Sequence, residues 1–263
     1  PYPDIHLSAA EIAEKPVIGR YWVIVSGGKY DMTNKVWSLS SFQRTVDVLK
    51  HSFGLQFVQV GNVANAWQPP LKGTLDLRGQ TSLRQLLQLI YHAEGVICGV
   101  TCLMHMAAAL QKPCVVIAGG REAWWWEAYV RENKGLPGAD TLAVPHRFLH
   151  TIGQLDCCQY YGCWRNKIKP LPWHNDAKHR NDRSLCYKPT VVSGYDQPLC
   201  MAMITPEHVV EAVMSYYTDN TLPPLGRPLP MSELVSEIQS KLVIDNKTEE
   251  PIRKTGASLT TPY

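Results

Sequence analysis

Residues 99–122, GVTCLMHMAAALQKPCVVIAGGRE, carry polar groups at the ends of an otherwise apolar unit. Thr101-Cys102 opens a helical run directly after a strand, and His105 lies one turn further in. Arg121-Glu122 follows the next strand. A helix N-terminus offers free N–H groups and partial positive charge, which suits a phosphate. His105 can point back toward the same mouth. The alternative is a plain cap at Thr101 and a satisfied core histidine at His105. A second candidate is SGGKYDMTNKVW, residues 26–37. Gly27-Gly28 lets backbone approach a ligand closely. Lys29 and Lys35 are point charges suited to phosphate oxygens, or two surface lysines in a loop. Neither GxGxxG nor GxxxxGK[ST] is present, so no dinucleotide fingerprint or Walker loop is supported.

The elements that must hold these residues follow from hydrophobic patterning. YWVIVSGG (21–28), LQFVQVG (55–61), GVICGV (95–100) and KPCVVIAGG (112–120) are near-continuous apolar strands. Phe42, Val46, Leu49 and Phe53 form one helical face, with Ser40 or Ser41 as N-cap. Leu83, Leu86, Leu87 and Ile90 form another, capped by Thr81 or Ser82 and closed by Gly95. CLMHMAAAL is a third helix, capped by Thr101. Four strands with a helix between each pair predict a parallel, Rossmann-like α/β sheet. Ligands of such sheets bind beyond the strand C-termini. Three of the four exits there, at Gly27-Gly28, Gly61 and Gly119-Gly120, carry glycine.

The organisation expected is a polar lead-in (1–20), a nucleotide-type domain (21–150), a cysteine-rich finger (151–204), a C-terminal helix (205–222) and an extended tail (223–263). Thr205 caps that helix, with Pro206 at its first position. SELVSEIQSKLV (232–243) is a further candidate helix. The chain has 263 residues, 45% of them hydrophobic, enough for a sizeable core. A net charge of +3 is too weak to argue for nucleic acid or membrane. No apolar run is long enough to span a bilayer and no signal peptide is visible, so a cytoplasmic setting is expected. Because the chain starts at Pro1, it is read as a fragment of something longer.

These stretches together resemble the C-terminal half of glycosyltransferase family nine, the heptosyltransferase-like family with a GT-B fold. Gly79, Thr81, Ser82 and Leu83 match its G-x-T-S-L helix start. Thr101, His105, Ala107, Ala108 and Ala109 match its D-T-G-x-x-H-x-A-A-A. Pro113 to Gly119 loosely match its P-V-V-x-x-x-G, with Cys114 inserted. The resemblance implies a domain that grips a nucleoside-diphosphate sugar. Lys35 would contact the diphosphate, and Thr101 with the Cys102 amide would sit under a phosphate. His105 would face the diphosphate–sugar region, with Gly61 and Thr81 near the nucleoside. A fixed cation stabilises the charge that builds on a leaving diphosphate, so no catalytic metal is implied. Two departures stand out: Val100 replaces the family's aspartate and Cys102 its glycine. The half that carries the acceptor site and the general base would precede Pro1, so no catalytic base is named.

Eight cysteines are present. Cys98, Cys102 and Cys114 fall in strand or helix cores. Cys158, Cys163, Cys186 and Cys200 form two loose pairs that suit a tetrahedral structural metal, zinc or iron, with Cys157 as an alternative to Cys158. Disulfides or an idle thiol cluster are the other readings. Some members of the resembled family look similar here. Between these cysteines, Lys and Arg at 165, 167, 169, 178, 180, 183 and 188 outnumber Asp176 and Asp182. With Trp164, Trp173 and Tyr187 they form a solvated loop or a contact for an anionic acceptor or another subunit. Of Trp124, Trp125 and Trp126, at least one is expected to line the cleft. The function expected is glycosyl transfer from a nucleoside-diphosphate sugar to an acceptor hydroxyl. The alternatives are a non-catalytic binding or assembly module on the same fold and a sugar-nucleotide epimerase.

Overall fold

The computed structural model describes residues 3–131, 141–142, 144–169, 184–223 and 225. The proposed helix at 232–243, the rest of the tail beyond 225, and residues 173, 176, 178, 180, 182 and 183 of the basic loop lie outside the described residues.

The lead-in is not featureless. It forms α1 (Ala9–Ala13), because Ser8 and Glu11 build a capping box. Arg84 then fixes α1 to the domain, with Nε donating to Glu11 Oε1 at 2.7 Å. β1 (Trp22–Ile24) and a short β2 (Gly28–Lys29) follow. A 3₁₀ turn at Thr33–Lys35 leads into α2 (Leu39–Phe53). Its N-cap is Ser38, not Ser40 or Ser41: Ser38 Oγ accepts from the Ser41 N–H at 3.1 Å. The reason is a hydrophobic staple, since Trp37 before the cap meets Phe42 edge-on at 5.0 Å.

Next come β3 (Phe57–Gln59), β4 (Ala66–Trp67), β5 (Leu75–Asp76), α3 (Leu83–His92) and β6 (Gly95–Gly99). Ser82 and Gln85 form the capping box of α3. The helix ends at Ala93 in extended conformation, so Gly95 starts a strand rather than closing the helix. α4 (Cys102–Ala109), β7 (Cys114–Gly119), α5 (Trp124–Glu127), β8 (Val130–Arg131), β9 (Thr141–Leu142) and β10 (His146–His150) complete the domain. Then come the hairpin β11 (Pro189–Val192) and β12 (Tyr195–Pro198), α6 (Leu199–Ala202) and α7 (Pro206–Thr218), where Thr205 and Pro206 act as expected.

Among the described residues the main sheet has six strands in the order β10-β7-β6-β1-β3-β5, all pairs parallel. Sequence patterning located the four inner strands and missed both edges. β5 is only two residues long, and β10 (HRFLH) mixes basic with apolar residues because an edge strand is covered less completely. α2 and α7 pack on one face with Trp22, Trp37 and Met201. α3 and α4 pack on the other with Val23, Val58, Val96 and Val116. All the strand C-termini therefore reach one rim.

His146 on β10 is 3% exposed, and among the described residues neither ring nitrogen has a partner. Burial, then repulsion from His105, lowers its pKa from 6.5 to about 4. The neutral ring is favoured in the folded state, so stability is full above pH 6.5 and falls as pH drops toward 4. The loss over that window is about 3 kcal/mol from this group. Urea unfolding across it should show that slope, and His146→Phe should flatten it; an unchanged slope in the variant would refute the assignment.

Candidate active site

The rim is closed over at the β1–β3 end by the chain itself. Gln59 donates to Ser26 Oγ at 2.8 Å and to the Pro69 carbonyl at 2.6 Å, and accepts from the Leu71 N–H at 2.8 Å. This buried network pins residues 67–71 across the strand ends. A Cβ on Gly27 would lie 1.8 Å from the Trp67 carbonyl oxygen, and one on Gly61 would lie 2.8 Å from the Gln68 side chain. The two glycines therefore admit Trp67 and Gln68. Gly28 faces Val36, Lys29 is exposed and Thr81 is half-buried beside the α3 cap.

The charged groups converge between β1, β6 and β7. Lys35 Nζ stands 2.7 Å from Glu122 Oε1, and the Arg121 guanidinium pairs with the same oxygen. The side chains of Glu122 and Arg121 are 5% and 9% exposed. One buried carboxylate thus serves two cations, and the cluster keeps an excess positive charge. Burial, then repulsion from Arg121, lowers the Lys35 pKa to about 8, with Glu127 pulling the other way. Burial also lowers that of Arg121. Glu122 Oε2 has no partner.

Both cations are held by the segment after the first clustered cysteines. Trp164 N–H donates to the Arg121 carbonyl at 2.9 Å. Arg121 Nε donates to the Arg165 carbonyl and its Nη2 to Asn166 Oδ1, both at 2.6 Å. The Asn34 N–H donates to the Asn166 carbonyl at 3.0 Å, and the Ile168 N–H to Thr33 Oγ1 at 2.9 Å. The 3₁₀ turn carrying Lys35 and the strand exit carrying Arg121 are therefore tied to one backbone stretch.

Thr101 occupies the N-cap position of α4, yet its side chain makes no cap hydrogen bond and its buried Oγ1 has no partner. Its expected capping role is not what the structure shows. Cys102 is exposed at this helix end, not buried in a core. Its thiol faces the N–H groups of Cys102 and Leu103, while partial desolvation by the surrounding chain, then Cys98, pushes its pKa up. His105 is turned to Tyr129: its Nδ1 lies 2.7 Å from the phenol oxygen, and its Nε2 lies 3.6 Å from Glu127 Oε2.

Cys157, Cys158, Cys163, Cys186 and Cys200 line one small cavity with Gly120, Arg121 and Leu199. All are free thiols. A Cβ on Gly120 would lie 2.9 Å from Cys158 Sγ and 3.1 Å from Cys200 Cβ, so glycine lets the thiols close in. Burial first, then the neighbouring thiols, pushes Cys200 up to about 12. The Cys158 thiol donates to the Thr151 carbonyl at 3.3 Å. Among the described residues, no three His, Cys, Asp or Glu side chains form a group that could hold a metal ion. The thiols of the expected finger nevertheless converge on this one cavity.

Residues 6–136 match the family model for glycosyltransferase family 9 (heptosyltransferase). This stretch is a family 9 glycosyltransferase domain. Among solved structures, the chain is similar to heptosyltransferase II of E. coli at 16% identity, covering 84% of this chain and 55% of that one, with TM-score 0.49. It is similar to the dodecameric iron-containing glycosyltransferase TibC from enterotoxigenic E. coli at 18% identity, covering 82% and 49%, with TM-score 0.50. A family 9 glycosyltransferase from Veillonella parvula matches at 13% identity, covering 81% and 53%, with TM-score 0.47. The chain spans about half the length of these proteins. No curated protein matches it. Among the described residues, no helix is long and apolar enough to cross a membrane.

In the family 9 domain, the tryptophan run splits by role. Trp124 packs on Phe148 and His150. Trp125 and Trp126 stay 40% and 65% exposed. Trp126 meets Trp164 edge-on at 5.7 Å, and Trp164 lies 5.7 Å from the Arg121 guanidinium. Trp126 thus reaches the rim through Trp164. The described cations of the basic loop are largely engaged: Lys169 with Asp196, Lys188 with Asp156 and Arg165 over Tyr187. What sequence reasoning missed is the pairing of Lys35 with Glu122 and the clamp from residues 162–168. The sequence signal was faint, since only GGRE beside a buried strand placed an acid and a base together.

Removing the shared carboxylate charge tests this geometry. Glu122→Gln leaves two cations facing each other and should cost about 3 kcal/mol of stability. Chemical unfolding measures it; a loss below about 0.5 kcal/mol, as for an ordinary surface change, would refute the buried cluster.

Proposed function

We propose that this chain is the donor-binding half of a glycosyltransferase. It would hold a nucleoside-diphosphate sugar for transfer to an acceptor hydroxyl. The observation that carries the reading is the buried, net-positive Lys35–Arg121–Glu122 cluster at a rim that also carries the open N-terminus of α4 with its unpartnered Thr101 hydroxyl. An anion satisfies all three features at once. Lys35 and the α4 amides meet the charge that grows on the departing diphosphate as the glycosidic bond breaks. Thr101 donates to a phosphate oxygen. His105, held by Tyr129, borders the sugar side. The acceptor's proton passes to a base contributed by the remainder of the enzyme or by another subunit. Donors of this class and reduced thiols fit a cytoplasmic setting.

The thiol cavity is the site proposed for a structural zinc or iron. Cys158 or Cys157, with Cys163, Cys186 and Cys200, would hold it, and the side-chain-free wall at Gly120 and the all-sulfur donor set fit such an ion. Its role would be to fix residues 162–168. Metal analysis of the chain after handling free of added metals should find about one zinc or iron per chain, and neither metal would overturn the assignment.

A second reading keeps the binding and drops the transfer. It is favoured by Cys102, whose thiol faces the helix amides, and by Val100 in place of the family's aspartate. One variant tests what both readings share. Thr101→Val loses no hydrogen bond in the free protein, so its melting temperature should hold. Its affinity for ADP by calorimetry should fall about tenfold, the worth of one hydrogen bond to a charged group. Unchanged affinity would sink the phosphate role. Mass spectrometry of a sugar acceptor with the longer protein then separates transfer from binding or epimerisation.

A further inference from the structure

A second cavity of about 370 Å³ opens where the hairpin of β11 and β12 meets the start of α2. That is within the range of small-molecule sites, ~300–1,000 Å³. It borders the diphosphate rim, since Val36 follows Lys35, the Ile168 N–H donates to Thr33 Oγ1, and Trp67 crosses the β1 exit at Gly27. The α2 residues beside it pack on one face of the sheet with Trp22 and Met201, whereas α4, which carries Thr101 and Cys102, packs on the opposite face.

Its lining is specific in chemistry. Val36 and Ile168 form an apolar part of the wall, and the aromatic residues Trp67 and Tyr195 stand together on it, ring centroids 6.2 Å apart. Among the described residues lining it, the charged ones are Lys169 and Asp196, which pair with each other. This pair offers charged hydrogen-bonding groups without net charge. Gln197 also lines the cavity. It is 2% exposed, and neither its amide nitrogen nor its oxygen has a partner. Buried amides are normally satisfied. This one, on a cavity-lining residue, keeps an unused donor and an unused acceptor among the described residues.

We infer that this cavity, on the α2 side of the donor rim, is a binding site for a neutral saccharide. Aromatic side chains accept the C–H face of a pyranose, a carboxamide both donates to and accepts from hydroxyls, and a self-compensated ion pair adds polar contacts without selecting charge. A phosphorylated or nucleotide ligand finds no excess cation among the described residues of this wall, unlike at Lys35 and Arg121. The proposal does not require that the rim bind a nucleoside diphosphate.

Saturation-transfer-difference NMR on the full 263-residue chain tests it. The probes are the methyl glycosides of glucose, galactose, mannose and N-acetylglucosamine, with adenosine as a neutral aromatic control and ADP as competitor. The expected result is transfer to the ring protons of at least one glycoside, retained in excess ADP. Gln197→Leu should weaken that binding about tenfold. It should do so with no loss of melting temperature, because the amide it removes had no partner. Should Gln197→Leu fail to fold, Tyr195→Ala on the surface hairpin carries the test with the same expected loss. The proposal is overturned if no glycoside receives saturation, if ADP displaces the sugar, if adenosine alone binds the cavity, or if the folded variants bind like the parent.

Discussion

The rim depends on one carboxylate. Glu122 is buried, and a buried carboxylate persists only when paired. It has two partners, Lys35 from the β1 side of the sheet and Arg121 from the β7 side. It thereby bridges two crossover loops that share no strand pairing of their own. The same sharing leaves the cluster short of one negative charge, which the proposed diphosphate donor would supply. Stability and ligand preference here come from one electrostatic arrangement.

That arrangement is held by chain outside the matched domain. Residues 162–168 lie beyond the family 9 segment, yet their backbone receives Arg121 and the 3₁₀ turn that ends in Lys35. Gly162 is required there, because a Cβ would lie 2.3 Å from the Arg121 carbonyl oxygen. The cysteine-rich segment is therefore a brace for the site. Its thiols sit directly behind Arg121, so whatever gathers them also sets the guanidinium.

Much of this was visible in the chain before folding was considered. The inner strands announce themselves as unbroken apolar runs, because both their faces are covered. Thr101 and Arg121 are legible because strand exits on a parallel sheet share a rim, and Lys35 because a point charge in a glycine-led loop suits phosphate oxygens. The rest depended on tertiary partners. Gly27 looked like a place for a ligand and instead admits Trp67, since nothing local says which backbone will approach it. Ser38 was passed over as a cap because its selection rests on Trp37 meeting Phe42, a pattern at N′ and N4 that the serine run at 40–41 obscured. Spacing alone points His105 toward the mouth, whereas Tyr129, from the segment after α5, holds its Nδ1.

The central strand has a further consequence. Trp22 in β1 donates its indole N–H to Tyr217 at 2.7 Å, and Tyr217 donates in turn to Glu94 at 2.9 Å. The middle of the sheet is thus completed by a helix 195 positions later in the chain. Contacts of such separation are slow to form. During synthesis at the ribosome, the α2 face must wait, greasy and uncovered, until α7 has emerged. For this fold the order of synthesis and the order of burial are opposed, and the interval between them is when the nascent chain is most prone to aggregate.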